Sequence, residues 1–150
     1  MEEIIAEFQS ESQSLVGQLM EILESIEGDP SQFQRLADYG QFVDRIMGAA
    51  KSIEMLVPDL AASLGMIGKY GELCKIVSYK CSQVSDNESL FIVVVALLLD
   101  ATEMLEKMIN GIMDKERLDM KDYLTETFLD RLQWCDTQFK GGLSGTIGTG

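Results

Sequence analysis

The sequence has no histidine at all. That single absence excludes Ser-His-Asp and Cys-His catalysis, His-ligated zinc and phosphohistidine chemistry. Cysteine is sparse too: Cys74, Cys81 and Cys135 make an odd number, with no C-x-x-C pair. Cys74 and Cys81 stand seven residues apart, two helical turns, which separates their Cα atoms by roughly 10 Å where a disulfide needs less than about 7 Å. Free buried thiols in a reducing compartment are the expectation. There are only two prolines, Pro30 and Pro58, so most of the chain is free to run in long helices. No apolar run is long: the longest, Leu90 to Leu99, is half the roughly 20 residues of a membrane helix. The opening Met1-Glu2-Glu3 is acidic where a secretory signal is basic, so a cytoplasmic location is expected. Cations are scarce: 12 Lys and Arg stand against 25 Asp and Glu, a net charge of −13. A field of that sign repels nucleic acid and anionic membrane alike.

What is present is an ordinary globular composition, 46% apolar and 25% charged over 150 residues. A chain of this length buries roughly 68–70% of the surface its unfolded form exposes, enough for one core without metal or disulfide. Helical periodicity dominates. Ile4, Ile5, Phe8, Leu15, Leu19, Ile22, Leu23 and Ile26 follow three-and-four spacing, with glutamates between them. Gly28 reads as the C-terminal cap, and Asp29-Pro30 as N-cap and first residue of a second helix. That helix is expected from Pro30 to about Val57, stopped by Pro58.

Asp59 is expected to cap a short helix through Leu64. Gly65, Gly68 and Gly71 then predict a break. A helix from Gly71 to about Val84 comes next. Ser85 and Glu88 have capping-box spacing, which predicts a helix from Asp86 to about Met113. Its apolar middle, Leu90 to Leu99, is expected to be buried on all sides. A last helix is expected over Asp119 to Phe139, with Met120, Tyr123, Leu124, Phe128, Leu132 and Cys135 inward. Residues 1–140 thus read as one all-α, up-down antiparallel bundle of four to six helices. Residues 141–150 are glycine-rich and read as a flexible tail.

The most informative stretch is Phe42 to Ala50. Gly48 sits inside a helix, where glycine costs roughly 1 kcal/mol relative to alanine. With Ala49 and Ala50 it leaves a bare patch one turn beyond Asp44. The plain explanation is close packing of a neighbouring helix; the functional one is room for a partner. This stretch, the Phe8-x-x-Glu11-x-x-x-Leu15-x-x-x-Leu19 spacing of the first helix, and Gly68-Lys69-Tyr70-Gly71-Glu72-Leu73-Cys74 together resemble a histidine-containing phosphotransfer domain over roughly residues 5–110. The resemblance implies a helical bundle with an H-x-x-K-G motif exposed midway along the second helix. Here Asp44 takes the position of the histidine, Met47 that of the lysine, and Gly48 matches. The departure removes the phosphate carrier and leaves the docking surface. The resemblance therefore implies a non-phosphorylatable interaction module of two-component signalling, with a response-regulator receiver domain or a histidine kinase as partner and no cofactor. Gln41, Arg45, Ile46, Met47, Gly48, Ala49 and Lys51 are the expected docking residues, and Ala50 an added apolar contact.

Two alternatives remain open. Asp38, Gln41 and Asp44 recur at three-residue intervals. An acid and an amide so placed resemble the pair of a receiver phosphatase, in which the amide positions a hydrolytic water; a solvated polar face is the plainer explanation, since such pairs arise often on exposed helices. The other alternative is a helical scaffold that forms a homodimer and carries no signalling chemistry. Asp114, Glu116, Asp119 and Asp122 lack the spacing of a calcium loop. Met104, Met108 and Met113 read as core gap-fillers, and Trp134 as an interface or bundle-end residue.

Overall fold

The computed structural model describes residues 2–113 and 120–143. Among them are six α-helices, two short 3-10 turns and no strand. Helix α1 spans Glu2–Ile26, and its buried residues, Ile5, Phe8, Ser12, Leu15, Val16, Leu19, Ile22, Leu23 and Ile26, keep the three-and-four spacing of one stripe. Gly28 ends it with φ +80°, a conformation that glycine adopts without strain.

Asp29 is a cap as expected, its carboxylate accepting from the Ser31 amide at 3.2 Å. The element it caps differs from the expectation. Pro30–Arg35 is a 3-10 turn with a non-helical residue at Gln32, and α2 begins only at Leu36 and ends at Leu56. Val57, non-helical at φ −129° and ψ 78° before Pro58, terminates α2 as the proline predicts.

The glycine interval predicts a break between residues 65 and 71, and there is none. After a 3-10 turn at Pro58–Leu60, α3 runs unbroken over Ala61–Cys81. Buried Leu64, Ile67, Tyr70, Cys74, Val77 and Cys81 hold it on the core; burial offsets about 1 kcal/mol per helical glycine several times over.

Helix α4 covers Glu88–Asn110. Its cap is Asn87, whose side chain accepts from the Leu90 amide at 3.0 Å, and not the Ser85 box. Nor is its apolar run buried all round. Leu90, Val94, Leu97 and Leu98 are in the core, but Ile92 is 58% exposed, because α4 is covered by α1, α3 and α6 on three sides and open on the fourth.

The expected last helix is divided. A single turn, α5 (Met120–Tyr123), precedes α6 (Glu126–Gln138), which Thr125 caps with its hydroxyl on the Phe128 amide. Phe128 and Cys135 face the core, Tyr123 is buried, and Leu124 and Leu132 are half-buried. The side chain of Met120, the acidic residues Asp114, Glu116 and Asp119, and residues 144–150 of the expected tail lie outside the described residues. Gly141–Leu143 fold back: the Lys80 ammonium donates to the Gly142 carbonyl, and Leu143 N–H donates to Asp136 Oδ1 at 2.6 Å.

Long-range pairs fix the directions. Gln9 near the start of α1 donates to the Ile109 carbonyl at the end of α4. Asn87, at the start of α4, reaches Gln138 at the end of α6. Consecutive helices α1 to α4 are antiparallel, an up-down bundle, with α6 against α4. One buried polar contact ties the core. Thr102 gives its proton to the Leu98 carbonyl, so the Tyr39 hydroxyl donates to Thr102 Oγ1, at 2.8 Å. All three cysteines are free and buried, as expected. Burial pushes the thiols of Cys74 and Cys81 up to about 12 and that of Cys135 to about 11, out of the reactive range.

Candidate functional site

The outer edge of α2 is set by its inner one. Tyr39, Val43, Ile46 and Ala50 are buried, so Gln41, Asp44, Gly48 and Lys51 emerge on the opposite side. This corrects two expected docking residues: Ile46 and Ala50 are each 1% exposed and fill the core, so neither offers surface to a partner. Met47 is half-buried against α3, where its Cγ lies 3.0 Å from the position a Cβ on Gly71 would take. Arg45 is exposed and its guanidinium lies 5.7 Å from the centre of the Phe42 ring.

Asp44 is paired. Lys75 of α3 reaches its carboxylate at 2.8 Å, with both side chains partly exposed. The hydrogen bond to Asp44 raises the Lys75 ammonium pKa, outweighing the opposing effect of burial. No motif or spacing singles out Lys75. The signal that finds it is the turn at Pro58–Leu60. Contacts between α2 and α3, such as Met47 with Gly71 and Gly40 with Tyr79, join positions nearly equidistant in sequence from that turn. By the same symmetry the residue opposite Asp44 is Lys75.

Gly48 has open space where a side chain would project. Two shallow grooves flank α2 at this level. Towards α3 a groove of about 300 Å³ is lined by Met47, Lys51, Gly65, Gly68 and Lys69, among others. Towards α1 a groove of about 480 Å³ includes Phe8, Arg45, Gly48, Ala49 and Ile53. The structure therefore keeps Gln41, Asp44, Arg45, Gly48 and Lys51 on one exposed edge, with half-buried Met47 and Ala49 on either side of it.

The acid–amide series is divided. Asp38 and Gln41 line a third hollow of about 490 Å³ against α1, together with Arg35 and Phe42. Asp38 lies 3.8 Å from Arg35. Asp44 leans the other way, to Lys75. Both carboxylates thus already have cations of their own, and Gln41 shares its hollow with Asp38.

Among the described residues no helix is long and apolar enough to cross a membrane. No group of three or more His, Cys, Asp and Glu among them is placed to hold a metal ion. Comparison with known proteins adds no relative to this geometry: no family model, no curated protein and no solved structure matches the chain.

Proposed function

We propose that this bundle is a docking module of two-component signalling, a phosphotransfer-like domain that binds a receiver domain or a histidine kinase and carries no phosphate itself. The observation that supports it is the exposed edge of α2: a carboxylate at the position matching the family's histidine, neutralised by Lys75, and one turn later a glycine with empty space beyond it. An imidazole nitrogen accepts a phosphoryl group directly. A carboxylate accepts one at a site that also gathers further carboxylates around a divalent cation, and Asp44 stands with Lys75 and not in a group of three or more acidic side chains among the described residues. Neutralising Asp44 also removes the cost of leaving a lone carboxylate under a partner.

The test is binding of receivers and kinases from the same genome to the wild-type chain and to Gly48→Arg. Arginine is a better helix residue than glycine, so the variant keeps its helical fold and melting temperature. Its bulk at the centre of the edge should weaken binding at least about tenfold, roughly 1.4 kcal/mol. Unchanged affinity in a folded Gly48→Arg chain rejects the proposal, and so does stable label on Asp44 after incubation with a phosphorylated receiver. Faster receiver dephosphorylation that disappears in Gln41→Ala, with affinity retained, would make the chain a phosphatase instead.

A further inference from the structure

The groove between α1 and α2 differs in electrostatics from the α2 edge beside it. Its apolar lining comes from the partly exposed Ile4, Ala49 and Ile53, above the buried Phe8. Its α1 rim carries Glu7 and Glu11. These two and Glu3 recur every four residues on one side of a helix that contains no lysine or arginine. Like charges at that spacing repel by a few tenths of a kcal/mol per pair, and nothing in α1 relieves them. On the α2 rim the one charge is Arg45, and Gly48 leaves the wall low between Arg45 and Ser52.

We propose that this groove binds an amphipathic helix of a partner protein, its apolar stripe on the partly exposed Ile4, Ala49 and Ile53 and its lysines or arginines along the α1 rim. A groove between two helices with apolar side chains along it takes anchors spaced at i, i+3, i+4 and i+7. Cations beside that stripe meet Glu7 and Glu11 and relieve their repulsion. Arg45 sets the register, because an acidic residue belongs at that end alone. A second copy of this chain is the wrong occupant: with a net charge of −13 it brings few cations to an acidic rim. The groove shares Arg45, Gly48 and Ala49 with the α2 edge, but its α1 rim of Glu7 and Glu11 lies outside that edge, so substitutions on the rim test this proposal apart from receiver docking.

The probe is a fluorescent leucine–lysine peptide of about 18 residues with its leucines on one helical face. Its control is a scrambled peptide of equal composition, and binding is read by anisotropy. Glu7→Lys/Glu11→Lys should weaken binding about tenfold or more, whereas Glu24→Lys/Glu27→Lys, with the same change of net charge elsewhere, should weaken it less than about threefold. All four glutamates are exposed, so both doubles should fold, and circular dichroism checks this. Ser52→Arg is a second block, placing bulk and positive charge on the exposed α2 wall. Equal losses in the two doubles, equal binding of the scrambled peptide, full affinity in Ser52→Arg, or no binding to the wild-type chain would each overturn the proposal.

Discussion

Gly40 and Gly71 face neighbouring side chains, and Gly48, Gly65 and Gly68 do not. A Cβ on Gly40 would lie 2.9 Å from the Tyr79 ring, and one on Gly71 would lie 3.0 Å from Met47. Those two glycines let α2 and α3 approach each other. A Cβ on Gly48 or Gly68 would meet nothing within 4 Å, and one on Gly65 only the tip of Glu54 at 3.9 Å. All five lie inside α2 and α3 and carry the same propensity cost. Internal packing accounts for the first pair. Nothing within the bundle accounts for the other three, and they border the grooves on either side of the α2 edge.

The largest effect that tests this contrast is Gly71→Leu. Four extra carbons pressed onto Met47 and Val43 should cost about 1–3 kcal/mol, or more if Met47 cannot swing away. For a chain of this size that lowers Tm by about 2–4 °C per kcal/mol. A melt unchanged from wild type would mean that the close approach at Gly71 is dispensable. The next effect has the opposite sign. Gly48→Ala and Gly68→Ala should each stabilise by about 1 kcal/mol in urea unfolding, as should Gly17→Ala in α1, which also has open space beyond it. Partner binding then divides them: Gly17→Ala should leave it intact, and the other two should weaken it. Equal binding by all three would remove the functional reading of the open glycines.

The smallest effect belongs to Lys75. Both ends of its pair are partly exposed, so Lys75→Met should cost under about 1 kcal/mol at neutral pH. The pH dependence has a definite sign. Asp44 raises the Lys75 pKa in the folded chain, so the contribution is fully present below the ordinary lysine value of 10.5 and fades as pH rises through the higher folded value. The stability gap between wild type and Lys75→Met should therefore be constant from pH 6 to about 10 and shrink above that. A gap that stays constant well above pH 10 would mean that Lys75 acts through its aliphatic stem and not its charge.

Much of the bundle is legible from local signals, and the misreadings share a cause. The Gly28 and Asp29 caps, the stop at Pro58 and the buried stripe of α1 are decided within a turn or two of chain, and periodicity finds them. Gly65, Gly68 and Gly71 also look local, as a break, but tertiary burial of α3 overrides their propensity. Ser85 has capping-box spacing, yet the chain enters α4 two residues later, at Asn87. Ile92 shows that an unbroken apolar run does not specify how many neighbours will cover it. At the site, the polar edge of α2 and the mid-helix Gly48 are legible from spacing, whereas Asp44 is singled out by the resemblance to a phosphotransfer domain. Lys75 and the inward turn of Ile46 and Ala50 depend on the antiparallel register of α2 and α3, which a motif does not carry.

Helix α4 has a consequence for how the domain sits between anything joined to it. Its far end meets Gln9 near the start of α1, and its near end meets Gln138, beyond which Lys80 fastens the backbone at Gly142. Twenty-three helical residues measure about 35 Å, so Gln9 and Gln138 lie near opposite poles of the bundle. A module attached on each side would be held apart by the length of the bundle and in line with it. A circular permutation joining Glu2 to Leu143 would need a linker that spans about the length of the bundle.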